Sequence, residues 1–302
     1  MKKNQLQEGK FKYIELLSLS VSEYEELLGV FSKEVSEKLR HYTLKGKRRK
    51  KVQIQEPKNS SLLGSSAKLK FILMYLRENP SQVFYAYSQG MSQSKVSEWV
   101  GFLLPIVEKS LSQLGYLASY SLEYTHKEEK SSYLAADVVE RQVPKRSCSL
   151  AQKIEYSGKK SAHTIKHFAL CDPMGYIHLL SPSFAGSILD KTIWDEMKLQ
   201  TAGQNVLMDL GFLGAEQDRI DVILPFKKAK NSALSKVKKQ LNQALGSLRV
   251  IIEHAFGGVK RLRIIRQKIY LKTFETREQV MRIAVGLHNL RVTHRKALIK
   301  KS

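Results

Sequence analysis

Three short segments, SYLAADVVE (132–140), SAHTIKHFALCD (161–172) and GYIHLLSP (175–182), decide the fold. Each is short and rich in strand-forming residues, and turn-forming residues separate them. A helical pattern, LDKTIWDEMKLQ (189–200), comes next. Two further strand-like segments, NVLMDLGF (205–212) and RIDVILPF (219–226), precede a long helical pattern from about Ser232 to Leu262. Three strands, a helix, two strands and a helix make a mixed α/β domain. The chain carries no internal repeat.

Upstream the periodicity changes from 2 to 3.6. Ser22 to Leu39 reads as a helix with Tyr24, Leu27, Leu28 and Phe31 on one face. SAKLKFILMYLRENP (66–80) places Leu69, Ile72, Leu73 and Leu76 at i, i+3, i+4 and i+7, and Pro80 stops it. PSQVFYAYSQGMSQSKVSEWVGFLLP (80–105) is more specific. A helix-turn-helix needs a small residue at the crossing, a Gly in the turn and apolar anchors on the second helix. Ala86 lies four residues before Gly90, and Val96 and Trp99 lie six and nine after it. Ser92 suits the N-cap. Gln93, Ser94, Lys95 and Glu98 then point outwards, towards a major groove. An ordinary pair of packed helices is the bland alternative. The run KGKRRKK (45–51) reads as a solvated linker, or else as an arm that contacts phosphate without reading sequence.

Charge narrows the function. Fifty-one Lys and Arg against 28 Asp and Glu give a formal +23, with 42% apolar residues over 302 positions, room for two domains. A positive field of that size calls for a polyanion, nucleic acid or an anionic membrane surface. The run VGFLLPIV (100–107) has eight residues and a proline, far short of the roughly 20 needed to span a bilayer. The first 20 residues lack the apolar core of a secretion signal. The two cysteines make neither a CxxC pair nor a disulfide framework. A cytoplasmic DNA or RNA protein, associated with the nucleoid, is the expectation.

Three acids stand at informative places. Asp137 is placed at the end of the first strand, and Asp209 ends the fourth, just before Gly211. Carboxyl ends of strands are where α/β folds build sites. Glu253 is the only carboxylate in the 53 residues between Asp221 and Glu275, which hold thirteen Lys and Arg. Leu245, Leu248, Ile252, Ala255 and Val259 form an apolar stripe, with Glu253 at its margin and Arg249 and Lys260 on its face. Such an acid is half of an ion pair or a metal ligand. Carboxylates that hold two divalent cations about 4 Å apart can activate a nucleophile and stabilise a leaving oxygen at a phosphodiester. Surrounding bases would hold the DNA.

These residues resemble the DDE-superfamily transposases of bacterial insertion sequences. YSGKKSAHTIKHFALCDPMGYIHLLSPSFAGSILDKTIWDE (156–196), LMDLGFLG, LRVIIEHAFGGVKRLR and AVGLHNLR occur in order, over about Ser66 to Arg291. The closest branch is the Harbinger-related one, with a helix-turn-helix before the nuclease. The resemblance implies an RNase H-like catalytic domain in which Asp137, Asp209 and Glu253 bind Mg²⁺ or Mn²⁺, two ions. It makes Asp190 a near-site acid and places Tyr156 to Lys160 near DNA. Two departures stand out: DVVE follows where a small residue usually follows the first acid, and Leu189 replaces a His before Asp190. Glu140 is a fallback for the first acid.

The expected domains are a helical and basic segment (1–52), a helix-turn-helix domain (60–115), a linker (116–131), the RNase H-like domain (132–295) and a frayed basic tail (296–302). DNA contacts are expected from Gln93, Ser94, Lys95, Lys159, Lys160, Arg249, Lys260 and Arg261. The partners are double-stranded DNA, both terminal inverted repeats and target, and a second copy of the chain. Two rivals are a catalytically inactive, domesticated repressor and an RNase H-like nuclease selective for structure. His163, His167 and Cys171 recur every four residues. On a strand about 14 Å separates residues four apart, too far for one zinc ion. Trp194 and Phe184 read as core. FGGVK lacks the Gly-Lys-Ser/Thr of a phosphate loop.

Overall fold

The computed structural model describes residues 16–57, 60–121, 131–199, 203–218, 221–230, 232–271 and 273–299. Most of the expected linker, and the ends of the N-terminal segment and basic tail, lie outside them. The chain divides into two compact units. One comprises the residues up to Leu117 with Lys260–His294, and the other comprises Ala118–Val259 with the residues from Arg295 onward.

The first unit is helical. Helix α1 (Val21–His41) starts at Ser20, whose hydroxyl accepts from Glu23 N–H while the Glu23 carboxylate accepts from Ser20 N–H. This capping box satisfies two otherwise orphaned donors. Tyr24, Leu27, Phe31 and Val35 are buried on its inner face. Helix α2 (Gly64–Glu78) buries Leu69, Ile72, Leu73 and Leu76 as the spacing predicts, and ends at Asn79 in a left-handed conformation before Pro80. Helix α3 (Gln82–Ser88) and helix α4 (Gln93–Gln113) form the helix-turn-helix. Gly90 takes φ +62°, which favours glycine, and Ser92 Oγ accepts from Lys95 N–H at 3.2 Å. Ala86, Val96 and Trp99 are buried, and Trp99 Nε1 donates to Ser61 Oγ at 2.9 Å, just before α2.

Helix α4 passes through Pro105 without ending. Proline removes the bond to the carbonyl four residues back. That residue is Gly101, which is exposed, so water can take the vacated place. Tyr116 and Leu117, expected to begin the linker, still belong to this unit. Asn289 donates to the Tyr116 carbonyl at 3.0 Å.

The basic run is not a solvated linker. The chain turns at Thr43–Lys47, where Thr43 N–H donates to Lys47 O and Gly46 N–H to Thr43 O, both at 2.9 Å. It then returns along α1, with Arg49 N–H on His41 O at 2.7 Å and Gln53 N–H on Arg40 O at 3.0 Å.

The second unit is a seven-stranded mixed sheet with helices. Its strands and early helices are β1 (Leu134–Gln142), α5 (Ser149–Glu155), β2 (Tyr156–Ser157), β3 (Ala162–Cys171), β4 (Ile177–Leu180) and β5 (Phe184–Ala185). They continue as α6 (Asp190–Met197), β6 (Val206–Leu207), α7 (Ala215–Asp218), β7 (Val222–Ile223) and α8 (Lys236–Val259). The order is β2-β3-β1-β6-β7, with β4 and β5 also on β3. β1, β3 and β4 are antiparallel neighbours, whereas β6 runs parallel to β1 and β7 parallel to β6. This is the expected RNase H-like order of elements. One face buries Leu134, Ala136, Phe168 and Leu170 against Ile193 and Trp194 of α6. Trp194 is therefore core, and Phe184 packs against the same cluster.

Helix α8 packs on β1, β3 and β6. It buries Ile252, Ala255, Phe256 and Val259, but Leu248 is exposed, so only the C-terminal half of the expected stripe is covered. The helix stops at Val259, three residues early. Gly257 and Gly258, poor helix formers, precede the stop. Helix α9 (Arg263–Arg266) and helix α10 (Phe274–Ile299) follow. The C-terminal basic residues are partly held. Lys296 Nζ donates to Asp172 Oδ2 at 2.8 Å, and Arg295 donates to Met174 O at 3.2 Å.

Candidate active site

The parallel ladder between β1 and β6 has two pairs, Leu134 opposite Val206 and Ala135 opposite Leu207. Carried two residues further, that register sets Asp137 beside Asp209. Asp137 is not at the strand's end, as the sequence suggests, but fourth of nine residues. β1 continues to Gln142 on its β3 side alone. The acid therefore sits where β1 loses its β6 neighbour and the sheet opens.

Local chemistry fixes each carboxylate. Asp209 caps a short 3₁₀ turn (Leu210–Phe212), and its Oδ1 accepts from Gly211 N–H at 2.9 Å. Asp137 Oδ1 accepts from Val138 N–H at 2.7 Å. Asp190 opens α6, and its Oδ1 accepts from Lys166 Nζ at 3.0 Å. That ammonium also donates to Ile188 O at 2.7 Å. A Cβ on Gly211 would stand 2.9 Å from Asp209 Oδ1 and 3.3 Å from Asp190 Oδ2, so both carboxylates crowd the same glycine. Among the described residues, the second oxygen of each acid accepts no hydrogen bond.

Charge accumulates here. Burial pushes the Asp137 carboxyl up to about 6, opposed by Val138 N–H. The carboxylates of Asp209 and Asp190 push it further, and the Arg249 guanidinium relieves it. Asp137, Asp209 and Asp190 each keep one oxygen free of a hydrogen bond, and carboxylate oxygen is the donor type a hard divalent cation takes. Mg²⁺ needs only one or two carboxylates, with water and substrate phosphate completing the shell.

Glu253 is not among them. Its side chain is 55% exposed and pairs with Arg249, one helical turn back, at 3.2 Å. Among the described residues no three of His, Cys, Asp or Glu converge closely enough to hold an ion. The tether on Glu253 is weak, since an exposed i,i+4 pair contributes about 0.3–0.5 kcal/mol. Glu140, the fallback acid, accepts from Thr164 Oγ1 at 2.5 Å.

Of the basic candidates in this unit, Lys159 and Lys160 are exposed in the turn between β2 and β3, and Arg249 faces the acids. Lys260 follows the end of α8 and so does not extend the helical face of Glu253. With Arg261 it belongs to the helical unit. On α4, Gln93 and Ser94 are exposed. Lys95 is half-exposed and pairs with Glu98 at 3.1 Å, so Glu98 does not face DNA as a bare charge. Lys166 was missed from the sequence. Its signal is a lone Lys inside the apolar strand TIKHFALC, where an uncompensated ammonium is costly.

The family model described as DDE superfamily endonuclease matches residues 137–289, 153 of the 302. The model described as helix-turn-helix of DDE superfamily endonuclease matches residues 61–113. The chain belongs to the DDE superfamily endonucleases. No curated protein and no solved structure matches it.

Proposed function

We propose that this chain is a transposase of a bacterial insertion sequence, of the Harbinger-related branch. It binds the terminal inverted repeats of its element, cuts a phosphodiester there and joins the freed 3′-OH to target DNA. The observation that carries this is the juxtaposition of Asp137 and Asp209 at the sheet opening, with Asp190 beside them. A fused helix-turn-helix supports it.

In this reading Asp137 and Asp209, joined by Glu253 once it leaves Arg249, would hold Mg²⁺ or Mn²⁺, two ions, which would lower the pKa of the attacking water and stabilise the leaving oxygen. Gly211 N–H and Val138 N–H hold one oxygen of each aspartate, so the other keeps its aim. Lys166 holds Asp190 and keeps the charge at the site from growing by one more. Arg249, Lys159 and Lys160 take DNA phosphates, while Gln93, Ser94 and Lys95 of the recognition helix face the major groove. Lys260 and Arg261 add contacts on the helical unit. Water adds to phosphorus as the P–O3′ bond breaks, leaving a 5′-phosphate and a 3′-OH. That hydroxyl then attacks a target phosphorus, exchanging one diester for another with no outside energy source. Two ends require two copies, hence a homodimer in the active complex.

A second reading is a DNA-binding relic that no longer cuts. Glu253 paired to Arg249 favours it, as does an exposed Leu189 at the N-cap of α6, where no side chain caps the helix. Mg²⁺-dependent nicking of a labelled duplex from the gene's flanks separates the two. Wild type that cuts, with Glu253→Gln that binds but does not cut, supports the transposase. Equal binding without cleavage by either protein leaves the relic.

A further inference from the structure

We propose that the basic turn at residues 43–51 is a second DNA-binding element, docked beside the recognition helix α4 to grip the duplex backbone. The inference rests on the DNA-binding reading above and extends it to a surface outside the helix-turn-helix match at 61–113.

Between Glu37 and Glu56 there is no acid, and eight residues are Lys or Arg. Such a block repels itself and is ordinarily disordered. Here it is ordered, and one of its own members does the ordering. Arg49 turns inward, and its Nε donates to Leu39 O at 3.0 Å and Tyr42 O at 3.1 Å, carbonyls at the C-terminal end of α1. A cation at that end also meets the favourable end of the helix dipole. Lys38 is likewise used internally, its ammonium 4.8 Å from the centre of the Phe102 ring.

The remaining cations are displayed. Lys47, Arg48, Lys50 and Lys51 are exposed, and among the described residues their side chains form no hydrogen bond or ion pair. Lys45 Nζ lies 3.6 Å from Glu98 Oε1, and Lys95 Nζ lies 3.1 Å from the other oxygen of the same carboxylate. Glu98 thus brackets the turn to the first turns of the recognition helix. A rigid row of unpaired charges beside that helix is unfavourable alone and is relieved by a polyanion lying across both. The regular phosphate row flanking a major groove fits, and it needs no base reading from the turn.

The test uses the full chain and two 30-base-pair duplexes, one from the gene's flanks and one of unrelated sequence. Fluorescence anisotropy gives Kd as a function of salt for wild type and for a Lys47→Ala/Arg48→Ala/Lys50→Ala/Lys51→Ala variant. Each lost phosphate contact removes about 0.9 from the slope of log K against log salt. The expected result is a slope lower by about 3 to 4, with affinity falling equally on both duplexes. Arg49→Ala, which removes one charge, is expected to cost more than one contact and to raise amide exchange over residues 43–51. Unchanged slope and affinity in the quadruple variant would overturn the inference while DNA binding by the helix-turn-helix stands. A wild type that binds neither duplex would overturn the proposed function and this inference with it.

Discussion

Asp137→Asn should stabilise the metal-free protein at neutral pH while abolishing cleavage. In the folded chain the Asp137 carboxyl is pushed from 3.8 up to about 6, chiefly by burial, with Asp209 and Asp190 adding to it. The folded state thus holds this proton more tightly than the unfolded one. Ionising the group is a cost that grows as pH rises from 3.8 and is complete above about 6. A shift of roughly two pH units corresponds to about 3 kcal/mol at pH 7.5, and to only about 0.5 kcal/mol at pH 4. Asparagine keeps an oxygen for Val138 N–H and carries no charge, so it escapes that cost. For a unit of this size about 3 kcal/mol raises Tm by roughly 6 to 10 °C. Calorimetry in EDTA at pH 7.5 and at pH 4 measures the difference directly. Adding Mn²⁺ should then raise the Tm of the wild type and leave the variant where it was. A variant no more stable than wild type at pH 7.5, or a gain of the same size at both pH values, would refute the account of a strained, charge-loaded carboxylate.

Three further outcomes follow from the geometry. Gly211→Ala would drive a methyl against Asp209 Oδ1 at 2.9 Å and Asp190 Oδ2 at 3.3 Å. Mn²⁺ affinity and cleavage should both fall about tenfold or more, a loss of at least 1.4 kcal/mol, while circular dichroism stays the same. For Asp172, burial alone would raise the pKa, but hydrogen bonds from His178, Lys296 and Tyr176 N–H bring it down to about 2. Its stabilisation is present above 3.8 and lost as pH falls towards about 2, so in urea Asp172→Asn should cost about 2 kcal/mol at pH 7 and little near pH 2. Gly286 on α10 allows close packing, since a Cβ there would sit 2.9 Å from Leu117 Cδ2 and 3.1 Å from Leu111 Cδ1. Gly286→Val should therefore destabilise the helical unit by about 1–3 kcal/mol, read from the urea midpoint.

The strands and the helix-turn-helix were legible because their signals are local. Strand-forming composition marked β1 and β3, and Gly90 with Ser92 marked the turn. Asp137 and Asp209 stand out in the sequence as acids near strands, although Asp137 lies inside β1 and its approach to Asp209 depends on a two-residue parallel ladder that no spacing in the chain reveals. Lys166 was hidden because its partner Asp190 lies 24 residues on, across a turn. The order in the basic turn was hidden for a related reason. Composition counts Arg49 with its neighbours, whereas the backbone carbonyls of α1 single it out. Glu253 is the instructive case. Its isolation among bases was plain, and that isolation fits an ion pair and a metal ligand equally well.

The charge distribution supplies the remaining step. At the sheet opening, three aspartates are anchored through single oxygens, and Asp209 and Asp190 add to the burial that raises the proton affinity of Asp137. On the helical unit, four cations are held in an ordered turn with nothing opposite them. Each arrangement is unfavourable in the isolated chain, and a core built for stability alone would need neither. Divalent cations would relieve the first and a phosphate backbone the second, as the proposed metal-dependent cleavage of DNA requires. The balance of +23 is in that sense not spread evenly as a solubilising coat. Part of it is organised, by Arg49 and Glu98, into a surface whose energy falls when DNA arrives.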